Sequence, residues 1–280
     1  MGQAILLDGD ALAARLRGEM KADAAGLVAR GIQPKMATLL VGDDPASASY
    51  IARKHADCAE IGIAAEDVRL PADIGPDDLL AEIAALNADP AVHGFMVQLP
   101  LPTGLDEAAM LEAIRADKDI DGLHPINLGR LLAGRPAFLP CTPAAILTLL
   151  QAYGIPLAGA EVVIVGRGNL VGRPLAMLLS QRGMDATVTL LHSQSRDLAA
   201  AIRRADIVIA AAGVPNLITA EMVRPSAAIV GVGISYADGA MVSDIAPDVA
   251  EIAGWVTPPH GSVGPLTRAA LLANVLRAAR

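Results

Sequence analysis

Aromatic residues are nearly absent: one Trp, three Tyr and two Phe make up 2% of the 280 residues, against a hydrophobic content of 53%. A core without large rings is filled by Ala, Val, Leu and Ile, which suits parallel sheets covered by helices, whose strands read as continuous aliphatic runs. Cysteine is scarce too. Cys58 and Cys141 make neither a disulfide framework nor a metal pattern, and they point to a reducing, cytoplasmic setting. Positive charge is also short, with 22 Lys and Arg against 30 Asp and Glu. That deficit excludes the basic surface needed to bind nucleic acid. No apolar run reaches the roughly 18 residues of a membrane span, and the opening MGQAILLDGDALAARL lacks the basic-then-apolar order of a secretory signal. The histidines (His55, His93, His124, His192 and His260) form no i, i+4 ligand pair, so no metal is expected. These absences leave a small-molecule substrate.

At this length two domains are the better expectation. Asp8 and Asp10 are cap candidates for a helix that ends at Gly31. A strand at 36–42, a helix at 47–63, a short strand VRL, a helix at 76–89, a strand at 94–102 and a helix at 106–119 follow. This alternation predicts a three-layer α/β domain with a mainly parallel sheet. The Pro- and Gly-rich stretch 119–143 reads as a crossing between domains. A second alternation then has helices at 143–153, 170–182 and 196–205 and strands EVVIVG, 186–191, 207–213 and 228–233. TPPHGSVGPLT (257–267) is a loop, and the closing helix RAALLANVLRAA is placed back on the first domain. The predicted domains are therefore 1–140 with 266–280, and 141–265, the second of Rossmann type.

VVIVGRGNLVGRPLA (162–176) is a strand, a glycine turn and a helix start, which aims backbone N–H groups at a pyrophosphate. The alternative is a tight turn that merely needs glycine. The second strand runs into Leu191-His192-Ser193-Gln194 without the carboxylate that an NAD ribose usually meets. Arg167 and Ser193 instead suit a 2′-phosphate, so NADP is favoured, although Arg167 also reads as a solvated surface arginine.

Upstream, Tyr50 and Lys54 share one helix face. Alone, that pair is a solvated lysine with its stem covered by a ring. Gln98, however, ends an apolar strand, where a buried amide is costly unless bonded, and Asp121 stands at a loop entry in DKDIDGLHP. Asp121 also reads as an ordinary turn carboxylate.

Six segments together resemble the bifunctional methylenetetrahydrofolate dehydrogenase/cyclohydrolase family. They are VGDDPAS…Y-x-x-x-K (41–54), GFMVQLPLP, DKDIDGLHPINLGRL, PCTP, VVIVGRGNLVGRPLA and GSVGPLT, in the family's order and over nearly the whole chain. The resemblance implies two α/β domains facing each other across a cleft, folate on the first and NADP on the second. It implies oxidation of 5,10-methylenetetrahydrofolate to the methenyl cation, hydrolysis to 10-formyltetrahydrofolate, and a homodimer paired through the cofactor domain. Lys54, Gln98, Asp121 and Tyr50 then become catalytic: Tyr50 stacking on folate, Asp121 accepting from the pterin edge, Lys54 moving a proton, and Gln98 aligning it. Pro265 joins Tyr50, Gln98 and Asp121 as a substrate contact, and Gly166, Arg167, Gly168, Ser193 and Ile234 contact the cofactor.

The second domain departs from the family's pattern. Gly168 stands where the family has Ser in Gly-Arg-Ser-x-x-Val-Gly-x-Pro, Val214 replaces Lys of Gly-Lys-Pro, and Gly231 and Ser235 replace Asp and Asn of Asp-Val-Gly-Ile-Asn. Pro259-His260-Gly261-Ser262 replaces Val-Pro-Gly-Gly. Two expectations therefore stand: a working enzyme with an altered cofactor pocket, or a relative that has lost one activity or only binds folate or nucleotide. A Ser at 262 is costly if that position needs a positive φ.

Overall fold

A computed structural model describes residues 4–237, 240–259 and 262–280, so His260 and Gly261 lie outside the described residues. The chain forms two compact units, one of Ala14–Cys141 with Arg268–Arg280, the other of the residues up to Ala13 with Thr142–Thr267.

Strand β1 (Ile5–Leu6) leads into helix α1 (Gly9–Ala29), whose first turn is capped by Asp8 Oδ1 accepting from Ala11 N at 3.0 Å. An alternation follows: β2 (Lys35–Val41), α2 (Pro45–Ile61), β3 (Ala64–Leu70), α3 (Pro76–Ala88), β4 (Gly94–Val97), α4 (Glu107–Ala113) and α5 (Pro125–Leu132). The strands make a parallel sheet in the order β3-β2-β4. Side chains alternate across it. Ala37, Leu39, Val41, Phe95 and Val97 pack on Leu79, Ile83 and Met110 of α3 and α4. Met36 and Met96 point the other way, to Cys58 and Ile61 of α2 and to a helix at the chain's end. Three layers result, as the alternation predicts. β3 is longer than the VRL segment suggests, because its charged residues alternate along an exposed sheet edge.

The second unit begins with α6 (Cys141–Ala152) and continues with β5 (Glu161–Val165), α7 (Gly172–Leu179), β6 (Thr187–Leu191), α8 (Leu198–Arg204), β7 (Ile207–Ala210) and β8 (Ala228–Gly231). A hairpin of β9 (Ile234–Ala237) and β10 (Ala240–Ser243), then β11 (Trp255–Val256) and α9 (Val263–Ala278), complete the chain. Six strands in the order β1-β11-β8-β7-β5-β6 pair in parallel. β6 lies on one side of β5 and β7 on the other, so the strand order reverses at β5, where open α/β sheets bind ligands.

Residues 1–13 were expected with the first domain. The structure instead groups them with the nucleotide unit, because β1 pairs with β11 and Leu7 N donates to Val256 O at 2.9 Å. α9 begins at Val263, inside the stretch expected to be a loop, and its residues from Arg268 onward belong to the first unit. The stretch 119–143 contains a helix that its sequence does not announce, α5, whose N-cap is His124 Nδ1 accepting from Ile126 N at 3.0 Å. No described helix is long and apolar enough to cross a membrane.

Candidate active site and nucleotide loop

α2 starts at Asp44, whose carboxylate accepts from Ser47 N at 2.8 Å, and stops at Gly62 with φ +87°. Between these ends Tyr50 and Lys54 lie one turn apart. The Lys54 Nζ sits 4.4 Å from the centre of the Tyr50 ring, a cation–π contact. Gln98 follows β4, held by its N–H to Leu39 O at 2.8 Å. Its side chain is locked from both ends: Nε2 donates to Leu99 O at 2.7 Å, and Oε1 accepts from Lys54 Nζ at 3.0 Å. Lys54 also meets Met96 Sδ at 3.1 Å and is only 4% exposed. Burial pulls its ammonium below the ordinary lysine range; Asp121 and Cys141 oppose that pull, and Arg268 adds to it.

Asp121 keeps some exposed surface, but its carboxyl is enclosed enough for burial to raise its pKa, with Lys54 pulling the other way. Burial also pushes the Tyr50 phenol up to about 12, so it stays protonated at working pH. Three of the four expected residues are thus in contact around one buried amine, and Asp121 is coupled to it by charge. Such an amine gives up its proton more readily than a solvent-exposed lysine does.

Sequence reasoning missed the groups that hold Asp121 in place. Asp119 is 2% exposed and accepts from Gly122 N at 3.1 Å, His124 N at 2.8 Å and Asn127 Nδ2 at 2.8 Å. From α9, Asn274 Nδ2 donates to Ile120 O at 2.8 Å and Leu139 O at 3.0 Å. Gly122 has φ +75°, and an added Cβ would stand 2.7 Å from the Leu139 and Pro140 backbone. Cys141 donates its thiol to Ile120 O at 3.4 Å. All but Asn274 and Leu139 belong to the quoted DKDIDGLHPIN and PCTP stretches; only their web of bonds was illegible there.

In the nucleotide unit, β5 runs into Gly166, which has φ +122° and whose N–H donates to Leu191 O of β6 at 2.9 Å. A Cβ on Gly166 would collide with Ala211 O of the neighbouring strand end, and one on Gly172 with Gly166 O. Both glycines are therefore required by close backbone approach. Gly168 differs: nothing lies within 4 Å of its would-be Cβ, so a serine fits there. α7 opens at Val171 without a side-chain cap; its Arg173 N–H donates to Gly168 O at 3.2 Å, and Pro174 carries no N–H. Arg167 and Ser193 are exposed and leave from the ends of the paired strands β5 and β6. This loop fits a dinucleotide.

Ile234 opens β9, and Pro265 is buried in the first turn of α9. Ser262 is 6% exposed, with its hydroxyl donating to Leu7 O at 3.4 Å. Gly231 is likewise accommodated: a Cβ would stand 2.9 Å from both Ile245 Cδ1 and Ser243 Oγ, and its N–H donates to Thr257 Oγ1 at 2.8 Å. Ser235 Oγ donates to Gly213 O at 2.7 Å, in a turn that Asp244 also ties by accepting from Ala212 N at 2.8 Å and Gly213 N at 3.0 Å. Val214 beside this turn is 46% exposed. Among the described residues no group of three or more His, Cys, Asp or Glu is placed to hold a metal.

Residues 7–121 match the catalytic domain, and residues 140–280 the NAD(P)-binding domain, of tetrahydrofolate dehydrogenase/cyclohydrolase. The chain belongs to this family. It is 42% identical to the bifunctional methylenetetrahydrofolate dehydrogenase/cyclohydrolase of Campylobacter jejuni, with a TM-score of 0.96 over 99% of this chain and 98% of that one. A methylenetetrahydrofolate dehydrogenase from the silkworm, Bombyx mori, is 39% identical with a TM-score of 0.93, again over 99% and 98%. The Trypanosoma brucei dehydrogenase-cyclohydrolase, solved with NADP and an inhibitor, is 37% identical with a TM-score of 0.95 over 100% and 98%. Family membership makes the chain a bifunctional enzyme, an oxidoreductase and hydrolase of one-carbon metabolism with an NAD(P)-binding Rossmann-like domain.

Proposed function

We propose that this enzyme oxidises 5,10-methylenetetrahydrofolate with NADP⁺ and hydrolyses the methenyl product to 10-formyltetrahydrofolate. The observation that carries the reading is the Lys54 ammonium, 4% exposed and held between the Tyr50 ring and Gln98 Oε1. Bound NADP⁺ supplies the hydride acceptor. Around it the chain's own task in the first step is positioning, with the folate nitrogen stabilising the cation. Tyr50, partly exposed, offers ring surface for stacking. Asp121 accepts from the two adjacent donors of the pterin edge; burial raises its pKa, and the Lys54 charge works against that rise. In hydrolysis Lys54 takes a proton from the attacking water and delivers it to the ring nitrogen. Its lowered pKa makes the free amine available, and Gln98 keeps Nζ on that path.

Arg167 and Ser193 favour NADP over NAD by pairing with the 2′-phosphate. We assign Pro265 to the substrate and Ile234 to the cofactor on the same family pattern, and a homodimer through the nucleotide unit. Light scattering at the mass of a monomer contradicts the dimer. The deciding assay follows absorbance with 5,10-methylenetetrahydrofolate and each cofactor. Faster methenyl formation with NADP⁺ is expected. Equal rates with NAD⁺ overturn the Arg167 and Ser193 assignment, and no change with either cofactor overturns the activity.

A further inference from the structure

Asp57 stands three residues beyond Lys54 and seven beyond Tyr50, so all three lie along one stripe of α2. Its Oδ2 accepts from Arg268 Nε at 2.6 Å, and Arg17 Nε lies 3.9 Å from Oδ1. The Asp57 and Arg268 side chains are only 12% and 13% exposed. An ion pair this dry contributes little net stability over an apolar pair of the same volume. The surrounding cluster is otherwise filled by Cys58, Ile61, Leu271 and Leu272, so packing alone does not call for charge there. Its placement does: it holds a permanent cation against Asp57, which stands about one helical turn along α2 from Lys54.

We infer that Arg268, clamped by Asp57, is a positioning residue for the hydrolysis step, a fixed cation that biases Lys54 toward its free amine. This rests on the reading of Lys54 as the proton carrier. The groups that face Lys54 or its neighbours are Tyr50, His55, Asp57 and Glu60 on its own helix, Asp119 and Asp121 in the loop before α5, Cys141 at the start of α6, Arg17 of α1, which pairs with Glu60 Oε2 at 2.7 Å, and Arg268 of α9. β4 contributes only the uncharged Met96 and Gln98. Asp121 and Cys141 hold the proton on Lys54, whereas Arg268 works with burial to release it. A guanidinium keeps its charge across the whole working range, so this bias does not itself titrate.

The test is the pH profile of 5,10-methenyltetrahydrofolate hydrolysis for the wild type, Arg268→Met, Arg268→Lys and the double variant Asp57→Asn/Arg268→Met. The double variant guards against misfolding, because it leaves no unpaired carboxylate. Loss of the cation should move the acid limb up by about 0.5–1 pH unit in Arg268→Met, and up by less in the double variant, which loses the Asp57 charge as well. Arg268→Lys should return it close to the wild-type position. Methenyl formation at saturating substrates should change less than about twofold, because that step needs no proton carrier. Superimposed acid limbs in active proteins overturn the inference, as does an Arg268→Lys limb shifted as far as that of Arg268→Met. A wild type with no hydrolysis at any pH overturns the reading of Lys54 as well.

Discussion

The glycines of the nucleotide loop show how one residue type serves different ends within seven positions. Gly166 and Gly172 are fixed by backbone atoms that leave no room for a Cβ, while Gly168 faces open space. Gly172→Ala should therefore destabilise the protein by about 1–3 kcal/mol through overpacking, read as a lower urea midpoint. An unchanged midpoint would contradict the close approach. Gly168→Ser should fold normally and add one hydroxyl donor. That bond is worth about 0.5–1.5 kcal/mol, so the KM for NADP⁺ should fall roughly 2- to 10-fold. A higher KM would mean that the loop needs its glycine. The position that departs from the family is thus the one whose side chain the local geometry can restore.

At the scale of elements, the loop between α4 and α5 sets Asp121. Its rigidity comes from one buried carboxylate, Asp119, that gathers three donors. Asp119→Ala takes the carboxylate from the His124 N–H, at about 1–3 kcal/mol if that donor stays buried, while Gly122 N keeps the backbone Asp119 O at 3.3 Å and Asn127 Nδ2 keeps Ala116 O at 2.8 Å. It should lower the thermal midpoint by several degrees and raise the KM for folate more than that for NADP⁺. Equal effects on both substrates would mean that the loop does not position the pterin contact. Sequence periodicity predicts the buried strands well, because Val, Ile and Leu runs in β2, β5 and β7 have no other reading. It overextends α4, whose cap Ile114 is already extended, and it misses α5, whose start depends on a histidine cap. β1 and β11 are two residues each and owe their existence to sheet pairing rather than local pattern. The four residues proposed around the folate are legible as types at the right spacing. Asp57 and Arg268 are not, since 211 positions separate two partners that only the fold joins.

For the whole molecule, the buried lysine links function to stability. Lys54 titrates lower in the folded chain than its ordinary value of 10.5. Between the two values the unfolded chain binds more protons, so stability rises with pH across that window. Lys54→Met removes this contribution. Wild-type stability, measured against that variant by urea unfolding, should therefore gain as the pH rises toward the ordinary lysine value of 10.5. Parallel curves would mean that the amine is not perturbed in the folded state. Both units are parallel α/β layers built on aliphatic side chains, and the four proposed folate residues all belong to the one formed by Ala14–Cys141 and Arg268–Arg280. The most direct test of the account is the rate at which Lys54→Met hydrolyses 5,10-methenyltetrahydrofolate supplied as substrate, with folding checked by circular dichroism. A fall of at least about 100-fold against the wild type is predicted; a folded variant that hydrolyses at the wild-type rate would contradict it.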